Sequence, residues 1–449
     1  MGAGDRAERR SLDRSIWSIA GPALVTFAAE PIYLLVDTAI VGRLGTDALA
    51  GLAVASSVLL FVVGACVFLT FGTAATVARR IGAGDHEGAA TLSVQALWLA
   101  VACAAVATPL LVVFGRPVVE LFGAGAAVAE DATTYLRISL LGLPALLLTM
   151  ASTGALRGHL DARTPMVVVI SANVVNLLLE VWFVFGLGWG IAGSAAGTVV
   201  AQWLGAVALV GAVVRRTLPQ QVGLRPRRAE ITSLAVVGRD LFVRTVALRA
   251  ALTATTVLAA RRGAVALAAY QIAFQWWTTM AYLLDALEAA AQSLVGRALG
   301  AADRSGARRT GDRILGWSTG GGVVVGLATV VLAAPIAGLF TDDAAVVPLV
   351  VASLWWVGAT QPVSGAAFAL DGILVGAGDQ RFLAGAMVGS LAVLLAAGAA
   401  TLAAGTGLWG VWLAVTLFMA SRVVILGLRY RSDAWQHHGA GTPAAAGAG

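Results

Sequence analysis

The chain has 449 residues, 59% of them hydrophobic and only 12% charged, with a mean hydropathy of +0.86. A soluble domain carries roughly 25% charged residues, so this composition excludes an ordinary soluble enzyme and points to a polytopic membrane protein. Lys is absent, all 30 basic residues are Arg, and a net charge of +6 is too small to indicate a nucleic-acid partner.

Taken in chain order, twelve apolar segments appear at 15–41, 50–78, 90–114, 130–156, 165–187, 190–214, 233–260, 265–296, 312–340, 345–375, 382–405 and 407–429. Each is near the ~20 residues needed to cross a bilayer as a helix. The expected fold is all-α, with twelve transmembrane helices. Arg placement orients them. If the N-terminus is cytoplasmic, the inside segments hold Arg6, Arg9, Arg10, Arg14, Arg79, Arg80, Arg157, Arg163, the run from Arg215 to Arg239, the run from Arg297 to Arg313, Arg381, Arg422, Arg429 and Arg431. The outside loops hold Arg43, Arg116, Arg261 and Arg262. This bias places both termini inside, in the plasma (inner) membrane. Cys66 and Cys103 lie in apolar runs and predict neither a disulfide nor a metal site.

The loop "RRIGAGD" (79–85) returns as "RALGAAD" (297–303), 218 residues later. The same ungapped offset pairs Arg43 with Arg261, Pro117 with Pro335, Pro144 with Pro362, Gly154 with Gly372, Asp161 with Asp379 and Arg163 with Arg381. Matched Arg, Pro and Asp across five helices are not a by-product of Ala and Leu abundance. The chain therefore reads as two six-helix bundles, 1–218 and 219–449. Because six is even, both bundles enter from the same side and the repeat is parallel, with its pseudo-two-fold axis along the membrane normal. Two like-oriented bundles suggest alternating access by architecture.

This repeat, with "DTAIVGRLG" ending helix 1 and "GAGD" loops after helices 2 and 10, resembles the multidrug and toxic compound extrusion (MATE) family. "DALEAAAQSLVGRALG" (285–300) and "DGILVGAGD" (371–379) are similar to its DinF-like branch. The resemblance spans nearly the whole chain. It implies a cation-coupled multidrug efflux transporter rather than an enzyme. Such a transporter exports amphiphilic or cationic small molecules in exchange for H⁺ or Na⁺, acts as a monomer in the bilayer, and uses no cofactor beyond the coupling ion. A lipid-linked oligosaccharide flippase of the same superfamily is the alternative.

Departures from the repeat mark where chemistry was added. Asp37 faces Thr255 in the second half, Pro22 and Pro31 face Asp240 and Arg249, and Asn176 and Glu180 face Leu394 and Gly398. Tyr33 and Asp37 are i, i+4; Asn173, Asn176 and Glu180 share one face of helix 5; Thr198 and Gln202 are i, i+4 on helix 6. The family builds a cation site from an Asp on helix 1, an Asn and an acid on helix 5, and a Thr on helix 6. That pattern falls on Asp37, Asn176, Glu180 and Thr198, with Tyr33 beside them. Glu180 departs from the Asp of the archaeal-type pattern, which weakens the case for a Na⁺ cage and leaves proton carriage. Two carboxyl groups in one low-dielectric pocket are costly to ionise together, so the pair is suited to holding a proton. Asp37 as hydrogen-bonding glue between helices is the competing reading.

Pro22 and Pro31 mark a hinge in helix 1 or simple accommodation, since Pro is tolerated in membrane helices. Gln202, Gln271, Gln275, Asp285, Glu288 and Asp371 are candidate cleft residues. For Asp285 and Glu288, a buried pairing with Arg249 is the plainer reading, with Arg244 and Arg249 the two expected buried cations. Trp276-Trp277 and Trp355-Trp356 serve as aromatic platforms for a cation or as interfacial anchors. His159 reads as a solvated loop residue.

Overall fold

The structure is a computed structural model that describes residues 3–123 and 125–436, with side chains at all of these except 3–5, 30–32 and 34–35. The described chain is helical throughout, in twelve rods. In the first half these are α1 (Ala3–Gly42), α2 and α3 (Thr46–Ala65, Phe68–Gly82), α4 (His86–Glu120), α5 and α6 (Ala126–Ser139, Leu143–Gly158), α7 (Arg163–Val181) and α8 (Gly190–Thr217). In the second half they are α9 (Arg228–Ala260), α10 (Ala264–Gly300), α11 and α12 (Arg304–Val331, Ala333–Phe340), α13 (Val347–Gly376), α14 (Gln380–Ala403) and α15 (Gly407–Arg431). Among the described residues, eight rods are long and apolar enough to cross a membrane alone, and α5 with α6, bent by 53°, makes a ninth. The long helices α1, α10 and α13 complete the twelve. Pro144 stands at the start of α6, just after the bend, where its missing donor is tolerated. Its repeat partner Pro362 stays inside the unbroken α13.

The outer faces are apolar. Leu121, Leu339 and Val331 are each more than 75% exposed, which suits lipid as the surrounding solvent. Inside each bundle, small residues let backbones touch. On α11 and α13, a Cβ at Gly326 would lie 2.3 Å from the Gly358 carbonyl, and one at Gly365 would lie 2.3 Å from the Ser318 carbonyl.

The sequence repeat is also a repeat of packing detail. Asp85 caps α4 by accepting from Gly88 N–H at 2.8 Å, and Asp303 caps α11 by accepting from Gly306 N–H at 2.7 Å. Both carboxyls sit below their usual range, Asp85 chiefly through Arg80 and Asp303 chiefly through the Gly306 amide. A Cβ on Gly154 would meet the Thr70 carbonyl at 2.4 Å, and one on Gly372 would meet the Glu288 carbonyl at 2.6 Å. Thr70 and Glu288 are themselves 218 apart, so one helix crossing is built twice.

By packing, the chain forms two compact units, Val25–Gly238, and Met1–Leu24 with Arg239–Gly449. These boundaries differ from the repeat boundary at 218 for two local reasons. Asp13 binds Arg313 through both oxygens (2.6 and 2.7 Å) and accepts from Trp317 at 2.8 Å, so the first turns of α1 belong with α11. The segment after α8 is strapped to α4: Gln95 binds the Arg225 carbonyl at 3.0 Å and the Arg227 amide at 2.8 Å, and Trp98 binds the Leu224 carbonyl at 2.8 Å.

Candidate functional site

Asp37 lies near the C-terminal end of α1, twelve residues after the start of the first unit at Val25, and is 5% exposed. The i, i+4 spacing puts Tyr33 on the same face. From α7, Asn176 donates to the Tyr33 hydroxyl at 2.7 Å and to Thr198 Oγ1 at 3.3 Å. Tyr33 and Thr198 hydroxyls are 3.4 Å apart. Thr198 is anchored in turn by donating to the Ser194 carbonyl at 3.1 Å. The structure therefore brings together all five expected residues from three helices: Tyr33, Asp37, Asn176, Glu180 and Thr198.

Glu180 is fully buried, its carboxyl group next to that of Asp37. Neither Glu180 oxygen makes a hydrogen bond of good geometry among the described residues, its nearest polar neighbours being Asp37 and Ser194. α8 passes close to it, because a Cβ on Gly197 would lie 3.1 Å from the Glu180 amide nitrogen. Two residues further on, α7 ends in a π-turn, Trp182–Gly186. Such turns often accompany functional sites.

Two further residues, Ser194 and Tyr135, join the cluster. Ser194 donates to Asp37 Oδ1 at 3.3 Å. It sits one turn before Thr198, so helical spacing on helix 6 was enough to find it. Tyr135 of α5 is buried within electrostatic reach of Asp37, Tyr33 and Glu180. Nothing in the sequence marks that residue. Among the described residues no group of three or more His, Cys, Asp or Glu is arranged to hold a metal.

The remaining candidates are dispersed. Gln202 is half-buried beside Gly142, one turn past Thr198, and Gln271 and Gln275 are exposed on α10. Asp371 and Glu288 are buried inside the second unit, and Asp285 is half-buried there. Their cationic partner is not Arg249, which is exposed. Arg244 lies 3.0 Å from Asp371 and 3.6 Å from Glu288, and Arg422 also binds Asp371. Arg244 and Arg249 are five residues apart on α9, which places them about 140° apart around the helix, so only one can face the acids. Arg422, counted above with the inside arginines, is 1% exposed within α15, where it lies 5.6 Å over the Phe368 ring. Arg79 and Arg157 are buried as well, so buried charge in this chain is not mainly acidic.

Three of the four paired tryptophans pack inward. Trp276 donates to Thr329 at 3.0 Å, Trp356 to Thr416 at 2.8 Å, and Trp277 is buried against Phe274; only Trp355 is exposed. α1 is continuous through both prolines, and the side chains of Glu30 and Pro31 lie outside the described residues. His159 is not solvated. It is half-buried and shares a 3.3 Å hydrogen bond with Ser93, and burial followed by Arg216 pushes its pKa down to about 4.

The MatE family model matches residues 22–182 and 245–401, one match in each half. The chain is 34% identical to Protein DETOXIFICATION 44, chloroplastic, of Arabidopsis thaliana over 436 residues, covering 91% of this chain and 80% of the relative. It is 31% identical to DNA damage-inducible protein F of Escherichia coli over 441 residues, covering 94% and 92%. A crystal structure of the Vibrio cholerae MATE transporter VcmN superposes with a TM-score of 0.87 over 95% of this chain and 97% of that one, at 21% identity.

Proposed function

This chain belongs to the MATE family of multidrug and toxin efflux transporters, and we propose that it exports amphiphilic or cationic small molecules in exchange for protons carried at Asp37 and Glu180. One observation carries this reading: Glu180 is fully buried with its carboxyl group against that of Asp37, and neither of its oxygens makes a hydrogen bond of good geometry. A buried carboxylate with a second acid beside it and no cation is heavily penalised while ionised and far less so when it holds a proton. The pair is thus matched to a single transferable proton. A carboxyl pair that changes charge also supplies what alternating access needs, namely a group whose favourable surroundings differ between the loaded and unloaded states.

Sodium is the second reading, because Asp37, Asn176 and Thr198 supply oxygens. The side chains are already engaged: Asn176 donates through its amide nitrogen to the Tyr33 and Thr198 hydroxyls, which lie 3.4 Å apart, and Asp37 accepts from Ser194. A Na⁺ ion would need them to turn from each other toward one centre, so the geometry favours the proton. The flippase alternative calls for free cationic groups to hold a pyrophosphate. In the second unit, Arg244 and Arg422 are instead occupied by Asp371. The Arg-rich loops support an inner-membrane protein with both termini in the cytoplasm.

The test is efflux of a fluorescent organic cation from proteoliposomes with each gradient imposed alone. An inward pH gradient without Na⁺ should drive export, and Asp37→Asn should reduce it at least tenfold, to the passive leak. Export that requires Na⁺ and survives collapse of the pH gradient would make the same residues a Na⁺ site.

A further inference from the structure

A cavity of about 500 Å³ opens among α11, α13 and α15 in the second unit, within the 300–1,000 Å³ typical of small-molecule sites. Its two ends differ in chemistry. At one end stand Arg308, Asp312, Tyr430 and Arg431; at the other are Leu315, Leu370, Val423 and Gly427. The polar end lies in the second turn of α11 and at the last residue of α15, the level at which transmembrane helices meet headgroups. From Arg308 to Thr319, which also lines the cavity, α11 advances about 16 Å, close to half of a ~30 Å hydrocarbon core.

The charges at the mouth are not equivalent. Arg308 donates to the Tyr430 carbonyl at 2.6 Å, lies 4.2 Å over the Tyr430 ring and sits 3.5 Å from Asp312. Asp312 also accepts from the Tyr430 hydroxyl at 2.7 Å. These three residues therefore satisfy one another, Arg308 through the Tyr430 backbone carbonyl. Arg431 is exposed and has no hydrogen-bond or ion-pair partner among the described residues. The cavity thus presents one uncompensated cation at interface depth, above an apolar groove that runs toward the bilayer centre. The groove floor is open at Gly427, where an added Cβ would meet only Leu370 Cδ1, at 3.9 Å.

A ligand that fits both ends carries an anion and a long apolar chain. We propose that the groove between α11 and α15 binds an anionic glycerophospholipid, its phosphate at Arg431 and one acyl chain along Leu315, Leu370 and Val423. The lipid would contact α11, α13 and α15, whose side chains all line the cavity.

The experiment is native mass spectrometry of the full chain in detergent, titrated with dioleoylphosphatidylglycerol or dioleoylphosphatidylcholine. Phosphatidylglycerol should be retained more strongly. Arg431→Gln should lower that affinity about fivefold, the effect of one basic residue at an anionic lipid surface, and leave phosphatidylcholine unchanged. Gly427→Leu, which fills the floor where there is room for a side chain, should lower retention of both lipids. Glycerol phosphate, which lacks chains, should not compete. Equal retention of the two lipids by the unmodified chain, phosphatidylglycerol retention unchanged in both variants, or competition by glycerol phosphate would each overturn the assignment.

Discussion

Asp371 offers a sharp separation of structural from transport roles. Its Oδ2 holds two buried guanidinia, Arg244 at 3.0 Å and Arg422. Asp371→Asn removes the charge that both cations share. Breaking a buried pair by removing one partner costs about 3–5 kcal/mol, because an uncompensated charge remains inside. Arg244 keeps Glu288 at 3.6 Å, and Asp285 stays within electrostatic reach of both cations, so the low end applies, about 3 kcal/mol. At 2–4 °C per kcal/mol for a unit of roughly this size, the melting temperature should fall by roughly 10 °C. Adding Arg422→Met removes the cation left most exposed to the loss, since its other contacts are Met419 Sδ and two aromatic rings. The double variant should recover at least half of the lost stability. The assay is thermal unfolding in detergent by fluorescence-detected size exclusion, followed by efflux measurement on whatever remains folded. An Asp371→Asn protein that melts like the unmodified chain yet exports nothing would refute this reasoning and place Asp371 in the transport cycle.

Three further outcomes follow from particular contacts. Glu180→Gln preserves shape at a site where neither oxygen makes a hydrogen bond of good geometry, so it should insert and melt within about 2 °C of the unmodified protein while losing gradient-driven efflux; retained efflux would remove Glu180 from the coupling site. Ala302 occupies the left-handed region (φ 59°) where its repeat partner Gly84 has φ 75°. Ala302→Gly relieves a strain of about 1–2 kcal/mol at the expense of ~0.5–1 kcal/mol of chain entropy, so the melting temperature should rise by a degree or two, and a fall would contradict the strain. His159 has its pKa lowered from 6.5 to about 4, so above pH 6.5 it is neutral both folded and unfolded and stability is full. As pH falls from 6.5 to 4 the unfolded chain takes up a proton that the folded one refuses, which removes up to about 3 kcal/mol; His159→Gln should flatten that acid limb of the melting curve, and an unchanged limb would show that another group controls it.

The twelve rods, the two-fold repeat and the acids of helices 1 and 5 were all legible without coordinates, because each is a one-dimensional property. Hydropathy over ~20 residues reports a span, a constant offset reports a repeat, and 3.6-residue spacing reports which side chains share a face. The meeting of Tyr33, Asp37, Asn176, Glu180 and Thr198 was reached through family resemblance laid over that spacing. Other features depended on how helices far apart in the chain lie against one another. Helical phase excludes Arg244 and Arg249 from serving the same acids, but only the packing of α9, α10, α13 and α15 selected Arg244 and added Arg422 to it. The same holds for Tyr135 beside Asp37, for Glu180 set against Asp37 with no bond of good geometry, and for His159 drawn under Ser93. Ion pairs and hydrogen bonds are decided within a few ångströms, and those distances are set by where glycines such as Gly154 and Gly372 let one helix press its backbone onto another.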